Sequence, residues 1–122
     1  MKSLFLLCEY GIPISTIRIL IRNNISFDDL LFNSNKLNRI FGKNSIKKQQ
    51  VIDKAKKVIL DGKQNSMYEL IQYGLSTGIV DKLVEHGINI TDINKSVLEK
   101  NKIFGVTYQK IIDAHKEWAK ST

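Results

Sequence analysis

Between Gly42 and Leu60 the chain places Lys43, Lys47, Lys54 and Lys57, with Gln50 among them, at spacings of three and four. On a helix this spacing makes one polar stripe, while Val51, Ile52, Ala55, Val58 and Ile59 make an apolar face. Ahead of the stripe, Lys43, Asn44 and Ser45 follow Gly42 where that helix would begin. A glycine lets the main chain approach a ligand, a helix start offers unpaired N–H groups, and ammonium groups add charge. Together these suit an anion such as phosphate. A lysine stripe is also what an ordinary solvated helix face looks like, so both readings stand.

Other chemistry is hard to assemble. Cys8 is the only cysteine, which excludes an intrachain disulfide and any paired-thiolate zinc set; it reads as a small buried hydrophobe. His86 falls near a helix C-terminus and reads as a cap favoured by the dipole. His115 reads as a surface residue without a partner. There is no His-Glu-x-x-His, calcium-loop, phosphate-loop or dinucleotide pattern, and the seven glycines are scattered. Asp28-Asp29 could be mistaken for an acid–base pair, but a turn or cap role fits it better. Tyr10 and Tyr73 read as packing residues. Trp118 either closes a core or docks a partner. We therefore expect no enzyme, no cofactor, no metal site and no small-molecule substrate.

The 122 residues are 43% apolar and 25% charged, a balance that predicts a globular chain rather than a disordered one. Nineteen Lys and Arg against twelve Asp and Glu give +7, favouring anionic partners. Eighteen Ile, sixteen Lys and ten Asn beside three Ala and three Arg look like AT-rich codon usage, which supplies part of that lysine. The longest apolar run, Leu4 to Cys8, is far short of the roughly 20 residues of a membrane span. Only three residues precede it, too few for the start of a signal peptide, so a cytoplasmic protein away from membranes is expected.

The positioning elements are written twice. Sliding the chain by 63 residues lays Ser3–Gly42 over Ser66–Gly105 without a gap. Identities include Leu7/Leu70, Tyr10/Tyr73, Gly11/Gly74, Leu20/Leu83, Ile25/Ile88 and Asp29/Asp92. They continue through Asn38/Asn101, Ile40/Ile103, Phe41/Phe104 and Gly42/Gly105. Beyond the second glycine the register shifts by three, pairing Val51-Ile52-Asp53 with Ile111-Ile112-Asp113. This predicts two tandem compact domains of short helices, 1–62 and 63–122, in an all-α fold without strands. Ser3 and Ser66 are expected to cap first helices ending at Gly11 and Gly74. Second helices are expected over 13–23 and 76–86, with Asn24 and Gly87 in the left-handed backbone that closes a helix. A turn around Asp28–Leu30 or Thr91–Ile93 precedes a helix capped by Ser34 or Ser96 and running to Phe41 or Phe104. The last helices are expected over 46–60 and 108–120, with Asp61 to Asn65 as linker.

Tyr73-Gly74-Leu75-Ser76, Leu83, Gly87-Ile88, Asp92-Ile93 and Ile103-Phe104-Gly105 resemble the C-terminal domain of the bacterial RNA polymerase α subunit, within the wider helix-hairpin-helix group. Copy 1 adds Gly42-Lys43-Asn44-Ser45-Ile46, close to that family's Gly-Lys-Lys-Ser-Leu hairpin. The resemblance implies DNA binding in which the glycine hairpin and following helix meet backbone phosphate. It also implies contacts from an arginine, an asparagine and a lysine on the helix after Gly-Leu-Ser. The aligned positions are Ser15, Arg18 and Ile21 in copy 1 and Gly78, Asp81 and Val84 in copy 2; neither copy keeps the set.

Charge separates the copies. Residues 1–63 hold twelve Lys or Arg and five Asp or Glu, net +7, whereas residues 64–122 hold seven of each. Arg18, Arg22 and Arg39 of copy 1 stand where copy 2 has Asp81, Glu85 and Lys102, and Val106-Thr107-Tyr108 replaces the lysine-bearing hairpin. The expected function is noncatalytic, weakly specific or non-specific DNA binding through Gly42, Lys43, Asn44, Ser45, Lys47, Lys54 and Lys57, with Arg18, Arg22 and Arg39. The alternative is a protein-interaction module, a polymerase- or nuclease-binding or self-associating accessory protein that touches no nucleic acid.

Overall fold

In the computed structural model, which describes residues 2–121, the chain divides into two compact units, Met1–Gln64 and Asn65–Thr122. All regular structure among the described residues is helical. The first unit runs through a 3-10 helix, Leu4–Tyr10, then α1 (Ile14–Arg22), α2 (Phe27–Phe32), α3 (Ser34–Phe41) and α4 (Ile46–Leu60). The second runs through a 3-10 helix, Met67–Tyr73, then α5 (Thr77–Glu85), a short 3-10 turn, Ile90–Asp92, then α6 (Lys95–Lys100) and α7 (Gly105–Ser121).

The apolar run Leu4-Phe5-Leu6-Leu7 has all four side chains buried, because its 3-10 helix packs against both α1 and α4. A helix covered on two sides can be apolar nearly all round. Cys8, at the end of that run, is half-buried. Gly11 ends the helix at φ 93°, and Ile12 N–H donates to Leu7 O at 3.2 Å, closing the last turn. Gly74 and Leu75 repeat this in the second unit, at φ 99° and 3.3 Å to Leu70 O. The next closure recurs as well: Asn24 takes φ 56° and Ile25 N–H reaches Leu20 O at 3.0 Å.

Each unit has its own core. In the first, Phe5, Leu6, Leu7, Ile17, Leu20, Phe27, Leu30 and Leu37 are buried with Val51, Ala55 and Val58 of α4. In the second, Leu70, Val80, Leu83 and Leu98 are buried with Ile111, Ala114 and Trp118 of α7. Trp118 belongs to this core, and its indole Nε1–H lies 3.4 Å from Glu69 Oε1. Glu69 also accepts from Ser66 N–H at 2.6 Å in a capping box.

Several local expectations are corrected. The turn at Asp28–Leu30 is a full helix, α2, because Ser26 and Asp29 form a capping box, with bonds of 3.1 and 2.9 Å. In the second unit Asn89 stands in place of Ser26 and makes no such cap, and only a 3-10 turn forms. The caps of α3 and α6 are Asn33 and Asn94, not Ser34 and Ser96, which lie inside the helices. Asparagine Oδ1 accepts from Lys36 N–H at 3.4 Å and from Val97 N–H at 2.9 Å. Helix α6 stops at Lys100 rather than Phe104, since Lys102 turns to φ 59° and Ile103 N–H bonds back to Leu98 O at 2.9 Å. Gly105 consequently opens α7, three residues earlier than the helix expected from Tyr108. His115 is not free: its Nε2 is 2.8 Å from Ile90 O, and its ring stacks obliquely on Trp118 at 5.4 Å.

Two outcomes follow from these caps. Asn94→Ala should cost about 1 kcal/mol in a urea unfolding series, whereas Ser96→Ala should fall within about 0.5 kcal/mol of the parent. Asp29, held by Ser26 N–H and by Lys36 at 3.0 Å, has its carboxyl lowered from 3.8 to about 2. A depressed folded-state pKa contributes stability above the unfolded value and loses it as pH falls towards 2. Unfolding of the first unit followed from pH 5 to pH 2 should show that loss, and Asp29→Asn should flatten it.

Candidate nucleic-acid interface

The connection between α3 and α4, where the sequence suggests a hairpin, is a four-residue loop, 42–45. Gly42 ends α3 at φ 87°, donating its N–H to Asn38 O at 2.9 Å. Ser45 begins α4: its Oγ accepts from Lys48 N–H at 3.2 Å and its carbonyl from Gln49 N–H at 3.2 Å. The hydroxyl expected to meet an anion is thus already used as the helix cap. Gly42, Lys43, Asn44 and Lys47 are exposed and Ser45 half-buried.

A residue outside the expected set holds this loop. Lys48 Nζ donates to Lys43 O and to Asn38 Oδ1, both at 2.7 Å, tying the loop to α3. The signal available in sequence was the repetition of Asn38 as Asn101. In the second unit, with Tyr108 at the position of Lys48, Asn101 instead donates to Val97 O of its own helix at 2.8 Å. Both units have a four-residue connection here, 42–45 between α3 and α4 and 101–104 between α6 and α7. Helix α3 runs on to Phe41 whereas α6 stops at Lys100, so α4 begins four residues after Gly42 and α7 begins at Gly105 itself.

The rest of the stripe runs along α4 beside the first helix. Lys47 and Gln50, with Gly11, Pro13 and Thr16, line a hollow of about 350 Å3. Lys54 shares a neighbouring one of about 370 Å3 with Tyr10 and Asp53. Thr16 is fully buried, and its Oγ1 has no partner among the described residues. Lys57 Nζ sits 5.9 Å from the centroid of the Tyr10 ring, whose hydroxyl donates to Asp61 Oδ2 at 2.7 Å. Desolvation and the Asp61 carboxylate push the Tyr10 hydroxyl up to about 12. Of the expected apolar face, Val51, Ala55 and Val58 are buried, whereas Ile59 is 45% exposed.

Arg18 and Arg22 are exposed on α1 and Arg39 on α3, and no described hydrogen bond or ion pair ties them to the loop. Lys47, Lys54 and Lys57 lie along α4, with Lys43 in the loop before it, and none of the four is in an ion pair among the described residues. Among the described residues of the first unit, ion pairs are made by other lysines, Lys36 with Asp29 and Lys63 with Glu9 at 3.2 Å.

The second unit presents different chemistry at the same place. Phe104 is 62% and Val106 73% exposed around Gly105, so its tip is apolar. His86 lies at the C-cap of α5, where its backbone N–H bonds to Lys82 O and Val84 O. No group of three or more His, Cys, Asp or Glu among the described residues could hold a metal ion, and no described helix is long and apolar enough to cross a membrane. No family model, curated protein or solved structure matches the chain.

Removing the ammonium in Lys48→Met should leave the helices intact and free the loop. Backbone 15N relaxation should report greater mobility for Lys43 and Asn44, with α4 unchanged; an unaltered loop would mean that Gly42 and Ser45 alone hold it.

Proposed function

We propose that this protein binds the backbone of DNA without catalysis, through the hairpin and lysine stripe of its first unit, as one of two tandem helix-hairpin-helix-like domains. One observation carries the reading: Lys43 and Lys47 stand exposed, without an acidic partner among the described residues, beside a glycine loop braced by Lys48. The first turn of α4 adds its N–H groups and the positive end of a fifteen-residue helix. The Gly-Lys-Asn-Ser-Ile resemblance supports the same reading. Contacts of this kind are to phosphate, so sequence discrimination is weak.

A second reading rests on the second unit. Its net charge is zero, and Phe104 and Val106 present apolar surface where the first unit carries lysine. That combination supports a protein contact there.

Fluorescence anisotropy with labelled duplex and single-stranded DNA at several salt concentrations tests the proposal. With about four phosphate contacts, duplex affinity should fall roughly a hundredfold between about 50 and 200 mM salt. Lys43→Glu/Lys47→Glu should remove binding or make the logarithmic salt slope shallower by about 2. No binding by the parent at low salt, or a flat salt response, would reject DNA and leave the protein-interaction reading.

A further inference from the structure

Six of the seven glycines, all but Gly78, have left-handed φ between 67° and 99°. Gly78 has no such backbone reason. It sits in the first turn of α5, where glycine weakens a helix relative to alanine, and a Cβ built on it would meet nothing within 4 Å. What its missing side chain leaves is space.

That space belongs to a cavity of about 300 Å3 within the second unit, between α5 and the start of α7. The fully buried Leu83 and Ile111 line it together with Ile79 and Ile103, so its surface is mainly apolar. Lys82 and His86, one helical turn apart on α5, border it as exposed groups. No carboxylate is among its lining residues, and neither Lys82 nor His86 has an ion pair among the described residues. The first unit has Ser15, Ile19 and Asn23 at the positions of Gly78, Lys82 and His86, which supplies neither the gap nor the charge.

We propose that this cavity binds a small amphiphilic anion, with an apolar body over Gly78 and a carboxylate at Lys82 and His86. The volume is at the lower end of small-molecule sites and accommodates about ten non-hydrogen atoms at roughly 30 Å3 each. Isoleucine and leucine walls favour the body, and the Lys82 ammonium at the rim, with the His86 imidazole beside it as a hydrogen-bonding group, selects the acid. The ligand is held and not transformed, and the proposal is independent of the DNA reading, which concerns the other unit.

The test uses the full chain, 15N-labelled, titrated with 3-phenylpropionate and, separately, with its uncharged counterpart 3-phenylpropanamide. The acid should give saturable shifts confined to the amides of Gly78, Lys82, Leu83, Ile103 and Ile111, with a dissociation constant of about 1 mM. The amide should bind roughly tenfold more weakly. Gly78→Leu, which fills the gap, should abolish the shifts while the circular dichroism spectrum is retained. Lys82→Gln/His86→Gln changes only exposed positions and should reduce the acid to the affinity of the amide, which keeps the test decisive if Gly78→Leu does not fold. Absence of saturable shifts up to about 20 mM acid, equal binding of acid and amide, or binding unaffected by either variant would overturn the site.

Discussion

The burial of one side of α4 against the first 3-10 helix is the contact on which the first unit depends. Val51, Ala55 and Val58 of α4 are almost wholly buried, as are Phe5, Leu6 and Leu7 of that 3-10 helix. Because helical residues three and four apart share a face, burying that row dictates where Lys47, Gln50, Lys54 and Lys57 emerge. The cationic stripe is thus a consequence of the core. It runs beside Tyr10, Gly11 and Ile12 because α4 lies along the helix those residues terminate. The second unit obeys the same constraint through Ile111, Ala114 and Trp118 of α7, in a unit whose net charge is zero.

Around that shared frame, small sequence changes give the two units different surfaces. In the first unit α3 runs on to Phe41, and Lys48 braces the exposed lysine-bearing loop that follows. In the second, α6 stops at Lys100, α7 begins at Gly105, and the tip is Phe104 and Val106, both largely exposed. Replacing Ser15 by Gly78 has a comparable local effect. The helix survives, since no unusual φ is involved, and a hollow opens over Leu83. Neither difference disturbs the core, because all these positions lie on its margin.

Legibility in the sequence followed the range of the interaction. Helices closed by Gly11, Asn24, Gly74 and Gly87 could be read because a left-handed residue after an apolar helical pattern is a local requirement. The extent of α4, 46–60, could be read from the helical spacing of its polar stripe and of its apolar face, Val51, Ile52, Ala55, Val58 and Ile59. The caps of α3 and α6 are asparagines with a serine one or two residues further on, and because both residue types suit the position, type alone does not choose between them. The end of α6 at Lys100 rested on a left-handed lysine, for which residue type offers no warning.

Composition and repetition alone determined that the chain is all-α, that its helical pattern is written twice, and that its excess charge belongs to the first 63 residues. These properties depend on residue type and spacing, which folding does not alter. Tertiary structure decided which groups remain available. Ser45 is consumed as a cap, Lys48 is drawn into the loop, and His115 is bound to Ile90 O. It also revealed that Gly78 faces a cavity. Availability depends on what else has been packed nearby, and Lys48 with Asn38, or Gly78 with Ile111, meet only when separate helices do.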